Sequence, residues 1–216
     1  LFIPASLSIV LTISEGGFVT MNETGPQLDY GALFTSPLAW SIVILSVTAV
    51  LYISSVFLTW YANKAGDGAA SQLMRKYALV WSSPLMISAI GIIIELRRTE
   101  NWHYENMLGI SWLFIISAIL FFVTTWLIWK KRKYGLAVII MILQFATAFF
   151  AYGISHYPYL LYPYLTIHDS FTSQSMAIAI VVAFIAGLCL LIPSIYLVFK
   201  LFFSKDYVSG KDETHV

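Results

Sequence analysis

The sequence predicts an all-α fold, a polytopic transmembrane helix bundle, and three observations carry that reading. Hydrophobic residues make up 59% of the 216-residue chain and charged residues 11%, with a mean hydropathy of +0.81. An ordinary globular protein carries roughly 25% charged residues, so the solvent for this much apolar surface has to be lipid. The apolar residues also fall into stretches of membrane length, about 38–62, 77–96, 107–129, 134–154 and 176–199, each near the ~20 residues that span a bilayer. Finally, Lys and Arg alternate between successive connections, as membrane topology requires.

The elements follow in chain order. Residues 1–14 are apolar from the outset, yet at about 1.5 Å rise per residue they are too short for a core about 30 Å thick. Neither a basic lead-in nor a small-residue cleavage site marks them as a signal peptide. They are expected to be the second half of a spanning helix, giving one partial plus five complete spans. Residues 1–62 then read as the end of an N-terminal helical half, 63–76 as a cytoplasmic loop, 77–205 as a C-terminal four-helix bundle and 206–216 as a cytoplasmic tail. Pro37 opens a span, where a missing N–H is harmless. Pro84 and Pro193 lie inside spans and are expected to bend them, with Ser82 and Ser83 available to satisfy freed backbone groups.

Orientation comes from the basic residues. Lys64, Arg75, Lys76, Lys130, Lys131, Arg132, Lys133, Lys200, Lys205 and Lys211 occupy one set of connections, ten of the chain's twelve. The alternate set holds only Arg97 and Arg98, with Glu15, Glu23, Asp29, Glu100, Glu105 and Asp169. The basic set is expected to face the cytoplasm, which puts the C-terminus inside. Tyr and Trp collect near span ends, as an interfacial belt would have them. They are densest from Tyr152 to Tyr164 around Pro158 and Pro163. That segment is expected at the outer headgroup level, either as an anchor or as a docking surface for a partner subunit or a quinone-like lipid.

Ionisable groups inside a membrane are costly and point to ion paths or cofactors. Here the middle of every span is free of them. Glu95, two residues before Arg97, and Glu15, beside Gly16-Gly17, lie at span ends and read either as interfacial pairs or as proton-path residues. Gln144 is the strongly polar side chain at depth, expected to hydrogen-bond another helix. His103, His156 and His168 fall in outward loops and His215 in the tail, so none projects from a span interior to hold a haem. Met86, Met141 and Met176 read as core fillers. A haem or other metal held by this chain alone, and catalysis by this chain alone, are not expected. Cys189 excludes an intrachain disulfide. The net charge of +1, with no basic block longer than four residues, argues against a nucleic-acid partner. Ala179, Ala183 and Gly187 form a small-residue stripe that serves either internal packing or a subunit interface. A secondary transporter and a membrane assembly scaffold are the alternatives to a respiratory subunit, and the lack of mid-span acids weighs against the transporter.

The outer loop and last span are more specific. Gly153, Tyr157-Pro158, Pro163 and the run Leu165-Thr166-Ile167-His168-Asp169-Ser170-Phe171-Thr172-Ser173-Gln174 resemble the late segment of subunit II of cytochrome bd quinol oxidases. Pro193 followed by Tyr196, Phe199, Phe202, Phe203 and Lys205 resembles that family's final helix, and Ser36-Pro37-Leu38 its Asn-Pro helix start. The resemblance implies a complex in the bacterial or archaeal cell membrane. In it a larger subunit I carries two haems b and one haem d, oxidises quinol and reduces dioxygen to water. Subunit II is then its non-haem partner, packing against it and shielding it from lipid; a small single-helix subunit is a further possible partner. Thr166, Asp169 and Ser173 are expected to cap the last helix.

Overall fold

The computed structural model describes residues 2–22, 25–99, 102–168 and 173–203. The chain divides into two compact units, Leu1–Ile167 and His168–Val216. The first unit runs α1 (Phe2–Ser14), β1 (Val19–Asn22), β2 (Gly25–Leu28), α2 (Tyr30–Thr35), α3 (Pro37–Lys64), α4 (Gly68–Arg98), α5 (Trp102–Gly109), α6 (Ser111–Trp129), α7 (Tyr134–His156), β3 (Tyr159–Leu161) and β4 (Leu165–Thr166). The second unit contributes α8 (Gln174–Phe203). Helices α3, α4, α6, α7 and the Ser175–Val198 part of α8 are long and apolar enough to cross a membrane.

Local chemistry sets the helix boundaries. Ser36 accepts the Ala39 N–H at 3.3 Å and Pro37 sits at the first helical position, so α3 starts there. Asp67 accepts the Ala70 N–H at 2.9 Å, so α4 begins at Gly68. Residues 68–76, expected as loop, are therefore helical, and a tight turn through Gly66 (φ +80°) joins α3 to α4. The span expected from residue 107 is interrupted: α5 ends at Gly109, and α6 starts afresh at Ser111. The fold is also not purely helical. Two antiparallel hairpins, β1–β2 and β3–β4, lie in the Gly- and Pro-containing connections, where these residues disfavour helix.

In the first unit α3 packs along α4, α6 along α7, and α1 against α3. The main core gathers Tyr52, Val56, Leu85, Phe121, Ile128 and Met141, with Met86 packed against it. Buried hydroxyls need partners in a dry interior, and most find one on their own helix. Thr48, Ser55, Thr59, Ser88 and Thr124 each donate to the carbonyl four residues back at 2.7–2.9 Å. Others cross between helices, among them Ser71 Oγ to the Thr59 carbonyl at 3.2 Å, Ser117 Oγ to the Gln144 carbonyl at 3.1 Å and the Tyr52–Thr125 hydroxyl pair at 3.3 Å. Apolar side chains such as Val80, Ile87, Ile119 and Ile142 stay exposed, a surface suited to lipid rather than water.

Candidate functional site

The polar centre lies where α1, α5 and the end of α7 meet, at the end of the bundle that carries Arg97 and Arg98 rather than the lysine-rich turns. Helix α1 stops at Ser14 and delivers Glu15. Gly16 and Gly17 follow at φ +92° and +84°, a left-handed turn open to glycine. The turn is tight: a Cβ on Gly16 would stand 2.7 Å from the Tyr162 carbonyl oxygen. Tyr162 in turn donates its N–H to the Ser14 carbonyl at 3.2 Å, tying the β3–β4 hairpin to the end of α1.

Glu15 is 2% exposed and His103 is fully buried. His103 Nδ1 lies 2.9 and 2.8 Å from the two carboxylate oxygens of Glu15. The Tyr152 hydroxyl donates to Glu15 Oε1. On the far side of the imidazole, His103 Nε2 lies 2.7 Å from Ser155 Oγ, and Ser155 Oγ donates to the Tyr152 carbonyl at 2.8 Å. Asn106 Nδ2 donates to the Ser155 carbonyl at 3.0 Å, which ties α5 to α7. His156 Nδ1 approaches Glu15 Oε1 at 3.7 Å, and both of its ring nitrogens are buried without a hydrogen-bond partner among the described residues. Trp102 roofs the cluster, stacked on His103 and on Tyr162 at centroid distances of 5.3 and 5.0 Å. Its indole N–H points to the Glu15 carbonyl at 3.4 Å.

Several sequence expectations change here. His103 and His156 are not loop histidines: one is buried in α5 and the other ends α7, packed against the Tyr152, Trp102 and His103 rings at 5.5, 5.3 and 5.2 Å. Glu15 is not a water-facing interfacial acid but the centre of the cluster. Glu95 stays outside it and pairs with Arg98 at 3.1 Å rather than with Arg97. With Arg98 largely exposed, that pair is worth about 0–1 kcal/mol. Gln144 is buried, but its side-chain Oε1 has no hydrogen-bond partner among the described residues; its backbone carbonyl makes the interhelical bond instead. Ser173 Oγ accepts the Met176 N–H at 3.2 Å at the start of α8. Thr166 belongs to β4, opposite Tyr159. Asp169 and His215 lie outside the described residues. Ala179, Ala183 and Gly187 fall on one face of α8 by their spacing of four.

The cluster does not fit a haem. His103 Nε2 is taken by Ser155 and Nδ1 by Glu15, and the rings packed around His156 leave no slot for a macrocycle. A set of two imidazoles and one carboxylate can hold a proton or a small ion.

Five helices long and apolar enough to cross a membrane define a multi-pass protein of the cell membrane. The family model of cytochrome bd terminal oxidase subunit II matches residues 1–202, and the chain belongs to that family. It is 29% identical over 225 residues to a Bacillus subtilis (strain 168) protein described as a candidate cytochrome bd menaquinol oxidase subunit II, covering 97% of this chain and 63% of that protein. It also resembles a chain in the structure of bd oxidase from Geobacillus thermodenitrificans. The identity is 60% and the TM-score 0.79, over 94% of this chain and 61% of that one. The chain thus spans less than two thirds of the length of both relatives.

Proposed function

We propose that this chain acts within the non-haem membrane subunit of a bd-type quinol:oxygen oxidoreductase. The family match over residues 1–202 is the observation that carries the reading. The haem-bearing subunit I holds haem b and haem d, takes electrons from quinol and reduces dioxygen to water. The quinol is menaquinol by analogy with the Bacillus subtilis relative. The present chain packs against subunit I and keeps lipid from it. Its apolar exposed surface supports this role, as does the failure of its buried histidines to offer a haem slot. The lysine-rich turns face the cytoplasm and the Glu15 cluster lies toward the outer face, following the distribution of basic residues.

The test is purification through a tag on the full-length subunit, with a dithionite-reduced spectrum and a subunit census. Haem b and haem d bands are expected with the assembly and none with the dissociated subunit. A stoichiometric haem on the dissociated subunit, or a purified assembly without haem, overturns the assignment.

A further inference from the structure

We propose that Glu15, His103 and His156 form a binding site for a divalent transition-metal ion, with Zn²⁺ the best-matched ion. One ligand atom from each of the three residues lies within 4.8 Å of the others. The residues come from the end of α1, from α5 and from the last turn of α7, so the set is a tertiary constellation.

Hydrogen-bond direction strengthens the case. Ser155 has one hydroxyl proton and gives it to the Tyr152 carbonyl, which can only accept. Its oxygen therefore accepts from His103 Nε2–H at 2.7 Å. In the neutral imidazole this leaves a lone pair on Nδ1, and Nδ1 faces two carboxylate oxygens at 2.9 and 2.8 Å. With the proton on Nε2, acceptor faces acceptor, a contact that a cation or a second proton between them would satisfy. A proton would satisfy that pair but leave His156 as it stands, with both ring nitrogens buried and unpartnered. A metal ion would engage one ligand atom of each of the three residues at once, one ring nitrogen of His156 among them.

Distances and donor chemistry agree. Ligand bonds of about 2.0–2.1 Å in tetrahedral geometry put neighbouring donors roughly 3.3 Å apart. The Glu15 separations from His103 and His156, 2.8 and 3.7 Å, bracket that value to within about half an ångström, and the two imidazole donors lie within 4.8 Å of each other. Two imidazoles with one carboxylate suit Zn²⁺, Cu²⁺ or Ni²⁺ and not Ca²⁺ or Mg²⁺, which prefer all-oxygen sets. The supporting partners are already in place: Ser155 fixes the His103 tautomer, and Tyr152 orients the carboxylate. The His156 side chain, 13% exposed, marks the way in.

The test uses the full-length protein, purified with the subunits that accompany it and stripped with a chelator. Zn²⁺ affinity is then measured by competition with a chromophoric chelator, and Co²⁺ loading is read by visible spectroscopy. The intact protein is expected to bind Zn²⁺ tightly and to give the intense d–d bands of a four-coordinate Co²⁺ site. Ser155→Ala, which removes only the positioning hydroxyl, is expected to weaken Zn²⁺ binding about 10–100-fold, and His156→Ala at least as much. Co-purification and the haem spectrum of each variant separate loss of the ion from loss of assembly. If His156→Ala does not assemble, Ser155→Ala decides. Equal Zn²⁺ affinity in the intact protein and the assembled variants, or Co²⁺ bands absent from the intact protein, overturns the proposal and leaves a proton-bridged cluster.

Discussion

Replacing His103 by Leu is expected to be among the most damaging single changes in the first unit. The reason is what it leaves behind: Glu15, 2% exposed, would keep the Tyr152 hydroxyl and lose the imidazole that touches both of its oxygens. Leaving a buried carboxylate without its partner costs about 3–5 kcal/mol. At 2–4 °C per kcal/mol for a chain of this size, the melting temperature should fall by about 6–20 °C. Glu15→Gln keeps an acceptor for Tyr152 and a shape close to the original, so its cost should be nearer 1–3 kcal/mol. In the double variant no charge is stranded, and the two costs should add to less than their sum by about 0.5–3 kcal/mol. The assay is a thermal scan of the purified protein in detergent, followed by Trp fluorescence; Trp102 is stacked on His103 and reports the site directly. A drop below about 2 °C for His103→Leu, or strict additivity in the cycle, would refute the argument that the pair is buried and mutually dependent.

Three further outcomes are expected. Gly16→Ala places a Cβ against the Tyr162 carbonyl at a backbone angle of +92°, and should cost about 1–3 kcal/mol in the same scan; unchanged stability would mean the α1 turn relaxes freely. Gln144→Leu removes a buried amide oxygen with no hydrogen-bond partner among the described residues while keeping the volume, so stability should hold or rise. A loss above about 1 kcal/mol there would show that the amide is satisfied in the assembled protein. Gly187→Leu adds bulk to the small-residue face of α8 and should reduce co-purification of the haem-bearing subunit. Wild-type yield would remove that face as the contact.

The membrane-length helices were legible because hydropathy is a sum over many residues, and errors in single residues cancel. Ser36 with Pro37 was readable as a helix start for a related reason, since capping is chemistry between near neighbours. Boundaries that depend on one residue were harder. Asp67 extends α4 into a segment whose polarity reads as loop, and the break between Gly109 and Ser111 sits inside an apolar run. The polar cluster was hidden for a different reason. Glu15 lies 88 residues from His103, and His103 lies 52 residues from Ser155. Taken singly, each resembles an ordinary interfacial residue. The alternation of spans did hold a signal, because it assigns Glu15, His103, Tyr152 and His156 to one end of the bundle. Their contact, however, is set by how α1, α5 and α7 pack, which periodicity does not encode.

The link from Glu15 to Tyr152 also bears on how the protein is made. The two residues are 137 positions apart, and a ribosome adding about 5–20 residues per second needs roughly 7–27 s to cover that distance. Throughout that interval Glu15 at the end of α1 lacks its Tyr152 partner, and for the first 88 residues of it His103 as well. The tip of α1 stays at the wet border of the bilayer until α7 emerges from the translocon and draws it in. The end of α1 is thus made well before it can settle, and a chain stalled before Tyr152 would present an unpaired acid for quality-control proteases to find.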